Sequence, residues 1–316
     1  MNILYVDYGN VVDDNYMYQY YGDLFRELKE QSKIFLLQGV FEDIDVILSQ
    51  IETKIDCIIF GLGYFAQNNQ VFFNKIKGLD SIDIPVICMI HKPQNMLQQK
   101  LDFCKMNNVD LIVDSQSTCK DYEKATGIRS IRLPFTATPK YFYPRDVEKK
   151  YDVGFSGALH GDGKIKGPTE DLRDRVYNEL KKTDYNLFWN SSNTLEYRIH
   201  STEEYATKIN ESKVWLATTG PVNDVSPRYF EVVMSKTLLL CNNMPEAYED
   251  IFEDGRNCVM FENNLLDFHE KLNYYLQNDD VREKLVENAY NEFIDKYTWK
   301  HMALNLLEEV RKCHSK

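Results

Sequence analysis

No apolar run in the chain approaches the length needed to cross a bilayer, so no transmembrane segment is expected. Basic residues are in deficit: 37 Lys and Arg stand against 49 Asp and Glu, a formal charge of −12. That balance disfavours a broad nucleic-acid footprint, which needs a basic face, and leaves room for a local phosphate pocket. Cysteine is sparse and odd in number, seven with no C-x-x-C spacing. Such usage points to reduced thiols, several at buried strand positions, and to a cytoplasmic setting. The six histidines, at 91, 160, 200, 269, 301 and 314, show no H-E-x-x-H or similar spacing, so no metal site is expected. Also missing are the G-K-[ST] of a Walker A loop, a G-x-G-x-x-G opening a helix, and the G-x-S-x-G of a nucleophile elbow. The first residues, M-N-I-L-Y-V-D-Y-G-N, read as a strand and not as a signal peptide, because no basic segment precedes the short apolar run.

What is present is alternation. Short apolar runs at 3–6, 34–37, 57–60, 86–90, 111–113 and 131–133 read as strands. Helical stretches at 16–29, 44–51, 71–77, 96–106 and 118–125 lie between them. This is the β-α pattern of a parallel sheet covered by helices, whose ligands sit at the carboxyl ends of strands. The loops at 7–15, 61–64, 91–94 and 114–117 are therefore the ones to watch. Asp43-Ile44-Asp45 has the D-x-D form used by metal-dependent sugar transferases, but Ile44, Ile47 and Leu48 make a helix face, so it reads as an acidic first turn. The segment L-P-F-T-A-T-P-K-Y-F-Y-P, 133–144, holds three prolines and breaks the pattern. A domain boundary belongs there: 1–140, then 141–295, then a closing helix, 296–316. The second alternation has strands at 153–156, 186–189, 197–199, 214–217, 238–241 and 258–261, with helices at 169–180, 202–210, 226–235, 265–276, 281–290 and 299–310.

Two stretches of the second half carry candidate chemistry. The first is G-F-S-G-A-L-H-G-D-G-K-I-K-G, 154–167, whose five glycines with Lys164 and Lys166 let backbone and ammonium groups approach an anion; an ordinary glycine-rich surface loop is the other reading. The second is D-V-S-P-R-Y-F-E-V-V-M-S-K-T-L-L-L-C-N, 224–242. Ser226 reads as an N-cap and Pro227 as the first helical residue. Phe230, Val233 and Met234 fall on one side, and Arg228, Glu231 and Ser235 on the other. Arg228 and Glu231 then lie roughly 4.5 Å apart along the axis, a cation and a carboxylate on one face. Either they serve a diphosphate and a sugar diol, or they are an i,i+3 ion pair on a surface helix.

Taken in order, these pieces resemble the C-terminal domain of group 1 glycosyltransferases of the spore maturation protein-like (CgeB-like) family. The likeness runs through most of 151–309: Y-D-V-G-F-S-G, S-T-E-E-Y-A-T-K-I-N-E-S-K-V-W-L, S-P-R-Y-F-E-V-V-M-S-K-T-L-L-L, E-D-I-F-E-D-G-R-N-C-V-M-F and K-Y-T-W-K-H-M-A. The first half matches in pattern alone. The resemblance implies an α/β protein of two Rossmann-like domains facing a cleft, the GT-B fold, with the last helix crossing back to the first domain. It implies a nucleotide-sugar donor in the second domain, with Gly157, Lys164, Lys166, Arg198, Ile199, His200, Thr218, Asp224, Ser226, Arg228, Tyr229 and Glu231 around it. No metal or other cofactor is implied. Glu231 takes the place of the second glutamate of the E-x7-E motif, which binds the donor ribose. Asn223 stands where the first would be, and Lys236 where the family usually has glycine. Arg228 is expected to act on the leaving diphosphate, and Asp13, Asp14 or His91 to serve as a base toward an acceptor: a glycan, a lipid-linked sugar, a protein or a nucleic-acid base. A non-catalytic sugar-nucleotide-binding subunit, and a transferase acting on nucleic-acid bases, are the alternatives.

Overall fold

The computed structural model describes residues 1–8, 11–12, 19–65, 70–116, 119–159, 166–191, 199 and 201–313. The chain divides into two compact units, one of Met1–Pro134 with Trp299–Lys316, the other of Phe135–Thr298.

The first unit holds strands β1 (Asn2–Asp7), β2 (Lys33–Gln38), β3 (Cys57–Phe60), β4 (Val86–Ile90), β5 (Leu111–Asp114) and β6 (Arg129–Arg132), with helices α1 (Gln19–Gln31), α2 (Ile44–Ser49), α3 (Leu97–Met106) and α4 (Cys119–Thr126). The strands form one parallel sheet in the order β2-β1-β3-β4-β5-β6. C-I-I-F and V-I-C-M-I, in the middle, are buried at every position, as expected for strands covered on both faces. The edge strands K-I-F-L-L-Q and R-S-I-R carry the basic residues of the sheet, which discourages pairing with another chain. Asp43 caps α2, accepting from Asp45 N–H at 3.0 Å, and pairs with Lys77 at 2.6 Å. The helix expected over 71–77 is a single 3-10 turn, Gln70–Phe73. Packing overrides helical bonding there. Phe72 and Phe73 are drawn into an aromatic cluster with Tyr64 and Phe65, and Asn107 takes over the backbone, accepting from Ile76 N–H at 2.7 Å.

The last helix, α10 (Trp299–Cys313), belongs to the first unit and packs on α1. Its Glu309 pairs with Arg129 of β6.

The second unit holds β7 (Tyr151–Gly157), β8 (Leu187–Ser191), β9 (Ser212–Ala217), β10 (Leu238–Asn242) and β11 (Val259–Phe261), with α5 (Leu172–Leu180), α6 (Thr202–Asn210), α7 (Arg228–Met234), α8 (Phe268–Gln277) and α9 (Asp279–Lys296). Its parallel sheet runs β11-β10-β9-β7-β8. S-T-E-E opens α6 as written: Ser201 accepts from Glu204 N–H at 3.0 Å, and Thr202, Tyr205, Ala206, Ile209 and Asn210 make the buried stripe. The chain leaves β7 for β8 on one side and later returns to β9 on the other. The strand order therefore reverses between β7 and β9, and in an open parallel sheet the crevice beyond the strand ends at such a point is where ligands bind.

Among the described residues no helix is long and apolar enough to cross a membrane.

Candidate active site

Gly157 ends β7 and Thr218 follows β9, so the two flank this switch point. The guanidinium of Arg228 lies over the first of them. A Cβ added to Gly157 would sit 3.3 Å from Arg228 Nη2 and 3.4 Å from Nη1. The same guanidinium stands 6.0 Å from the centre of the Phe155 ring. Glycine is needed elsewhere in this stretch for the same reason of close approach. A Cβ on Gly154 would meet the Trp215 ring at 2.3 Å, and one on Gly167 would meet Pro221 O at 1.9 Å.

Helix α7 differs from its expected form in two ways. It starts one residue later: Pro227, already helical at φ −51° and ψ −27°, occupies the cap position. Ser226 precedes it, and the Ser226 hydroxyl is buried with no hydrogen-bond partner among the described residues. Nor is α7 a surface helix, since Tyr229, Phe230, Val232, Val233 and Met234 are all buried. Ser235, expected on the polar side, is also buried and returns its hydroxyl to Glu231 O at 2.8 Å. Phe230 sits among the rings of Tyr248, Phe252, Phe293 and Tyr297, which fixes the helix rotation. Arg228 and Glu231 remain half-buried. With seven residues, α7 has a small dipole, so charge stabilisation falls to side chains.

The turn before α7 is tightly specified. Gly220 N–H donates to Asp224 O at 2.8 Å and Asn223 N–H to Gly220 O at 2.9 Å. The Asp224 carboxylate packs so closely that a Cβ on Gly220 would lie 2.0 Å from its Oδ1. Asn223 has φ 61°, a left-handed conformation that asparagine tolerates better than glutamate does. Lys236, after α7, is likewise left-handed at φ 49°, a conformation glycine adopts most readily.

Three residues that sequence reasoning passed over hold the strand ends. Asn242 accepts from Thr219 N–H at 2.8 Å and donates to Thr219 Oγ1 at 3.1 Å and Asn263 Oδ1 at 3.0 Å. Thr169 donates to Gly220 O at 2.5 Å. Arg173 of α5 donates to Thr218 Oγ1 at 2.9 Å and Ala158 O at 2.8 Å. Arg173 was legible: with Val176 and Leu180 it completes an i, i+3, i+7 stripe, where an arginine is out of place.

Of the other expected donor residues, Lys166 is exposed and Ile199 is buried. Tyr229 is fully buried, and its hydroxyl also has no partner among the described residues. Lys164, Arg198, His200, Asp13 and Asp14 lie outside the described residues.

His91 follows β4 in the first unit, edge-on to the Tyr21 ring at 5.3 Å. Burial, then the charges of Lys92 and Lys100, pull its ionisation down to about 3. It is neutral at physiological pH but too weak a base to take a proton efficiently there, which counts against the expected role. The unfolded chain takes up the proton near pH 6.5, whereas the folded chain does so near 3. Stability from this group is therefore complete above 6.5 and falls as pH drops through that window, by roughly 1.4 kcal/mol per pH unit. Urea unfolding at pH 7, 6 and 5 is expected to show a shallower acid loss in His91→Gln than in the parent chain.

Residues 154–308 match a family described as glycosyl transferase-like. The second unit is a glycosyl transferase-like domain. The chain is accordingly a glycosyltransferase, and its two parallel α/β units are those of the GT-B fold. Solved structures agree on the fold at low identity. Sucrose-phosphate synthase from Thermosynechococcus elongatus is 9% identical, with TM-score 0.63 over 100% of this chain and 99% of that one. HepE from Anabaena in complex with UDP is 10% identical, with TM-score 0.63 over 99% and 100%. A glycosyltransferase from Rickettsia africae is 12% identical, with TM-score 0.62 over 99% and 98%. No curated protein matches the chain.

Proposed function

We propose that this glycosyltransferase moves a sugar from a nucleoside diphosphate donor to an acceptor, without a metal ion, and that the second unit holds the donor. The observation that carries the reading is the Arg228 guanidinium over Gly157 at the β7–β9 switch point. When the bond from the sugar C1 to the diphosphate oxygen breaks, negative charge grows on that oxygen, and Arg228 is placed to stabilise it. Glu231, one helical turn on, accepts from the ribose hydroxyls. Lys166, and Lys164 outside the described residues, are the further candidate cations for the diphosphate. The UDP bound by Anabaena HepE is a ligand of the same chemical kind. S-P-R-Y-F-E and the segments around it support placement in the spore maturation protein-like branch.

The acceptor is a glycan, a lipid-linked sugar, a protein or a nucleic-acid base, with Asp13 or Asp14 as the candidate base. A non-catalytic sugar-nucleotide-binding subunit is favoured by one observation, the left-handed Asn223 in place of the first motif glutamate.

The test is a donor panel assayed for hydrolysis and transfer, with and without EDTA. Turnover of one donor, unchanged by the chelator, is the expected result. Binding without turnover points to the subunit, and loss of activity restored by a divalent ion ends the metal-free mechanism. Gly157→Ala adds a methyl within 3.3 Å of the Arg228 tip. The same methyl would lie 3.1 Å from Cζ of the fully buried Phe155 ring, so a stability loss of about 1–3 kcal/mol is expected as well. Diphosphate binding should weaken, as titration beside a thermal melt will show.

A further inference from the structure

Arg173 is a charged residue where the fold calls for an apolar one. It is 8% exposed, within a helix face otherwise made by Leu172, Val176 and Leu180. Its hydrogen bonds all go to neutral oxygens: Nε to Thr218 Oγ1 at 2.9 Å, Nη1 to Ala158 O at 2.8 Å and Nη2 to Thr218 O at 3.4 Å. No described carboxylate forms an ion pair with it. Burying a cation in this way is costly unless a counter-charge arrives. Its acceptors follow β7 and β9, so one planar fork ties together the two strand ends that flank the switch point.

A second cation acts on it. Burial first, then the charge of Arg228, pull its ionisation down to about 10, and Tyr229, Asp224 and Asp174 offset this in part. Two guanidiniums thus repel each other near the buried hydroxyl of Tyr229, which has no partner among the described residues. Like charges close to an unsatisfied donor are what a polyanion would satisfy together.

We propose that Arg173 is a positioning residue for the diphosphate: it staples the ends of β7 and β9 and supplies, behind Arg228, a second positive charge that a bound diphosphate neutralises. The inference rests on the donor reading above. It differs from it in giving a buried side chain, not a surface lysine, the second charge.

The experiment uses the full chain with inorganic pyrophosphate, UDP and uridine as probes, read by calorimetry and thermal melting. Arg173→Met removes charge and staple; Arg173→Lys keeps the charge and loses the fork. Arg173→Met is expected to weaken pyrophosphate and UDP binding by about tenfold or more, the order for one charge lost from a desolvated subsite. Uridine binding should change little. Arg173→Lys should keep most of the pyrophosphate affinity and lower kcat, since the strand ends are no longer fixed. If Arg173→Met fails to fold, Arg173→Lys decides by that split between affinity and kcat. A purely structural arginine predicts a lower melting temperature in both variants with the pyrophosphate-induced rise intact, and that result overturns the proposal. So does equal loss of uridine and pyrophosphate binding. If the parent chain binds neither pyrophosphate nor any nucleoside diphosphate, the donor reading itself falls, a result distinct from the other two.

Discussion

Arg228→Ala is expected to lower kcat by on the order of 10²–10³, the usual loss when one group aimed at developing charge is removed. Nucleoside diphosphate binding should weaken, and nucleoside binding should stay close to that of the parent. The reasoning is positional. The guanidinium lies against Gly157 at the end of β7, the place that the proposed function gives to the diphosphate. Its interaction also strengthens as the leaving group gains charge, so the effect should appear in kcat beyond what appears in binding. The competing picture, an i,i+3 ion pair on a solvated helix, predicts a few tenths of a kcal/mol in stability and no change in binding. The burial of five α7 residues already fits that picture poorly. Single-turnover kinetics with the preferred donor, beside calorimetry with nucleoside and nucleoside diphosphate, measures both halves. Parent-level turnover in the variant would remove Arg228 from the mechanism.

The fold was legible because both sheets are parallel and buried. I-L-Y-V, C-I-I-F and V-I-C-M-I are runs with few alternatives, and the stripe of α6 is regular enough to fix its ends at Thr202 and Asn210. Legibility failed where tertiary partners decide. V-F-F-N-K-I-K has helical spacing, yet Asn107, distant in sequence, claims its backbone. Ser226 carries the side chain of an N-cap, yet Pro227 is already in the helical region and takes that place. At the site, the residue types of Arg228 and Glu231 and their spacing could be read directly. The company Arg228 keeps could not. That Arg173 reaches Thr218 and Ala158 depends on strand order, and only the return of the chain to β9 beside β7 brings them together. Asn223 shows the same limit: its residue type was visible, but its left-handed turn, closed on Gly220, is a property of the folded backbone.

Glu231→Gln separates the ribose from the phosphate. The substitution keeps the shape and removes the charge. If the carboxylate accepts from both ribose hydroxyls, its loss should weaken nucleoside diphosphate binding by about 1–3 kcal/mol, the range for charge-assisted hydrogen bonds. Free nucleoside carries the same ribose and should weaken by a similar amount, which Arg228→Ala should not produce. A diol contact is made equally before and during the reaction, so KM should rise while kcat at saturating donor holds near the parent value. The α7 scaffold should tolerate the change. Glu231 is half-buried, and its carbonyl, which accepts from Ser235, is untouched. Thermal melts of Glu231→Gln are thus expected to match those of the parent chain. The double variant supplies the sharper measurement. Two residues serving different parts of one ligand should lower UDP affinity additively, within a few tenths of a kcal/mol. Strong non-additivity would mean that the two side chains act as one unit, as an ion pair does, and would return Glu231 from the ribose to Arg228.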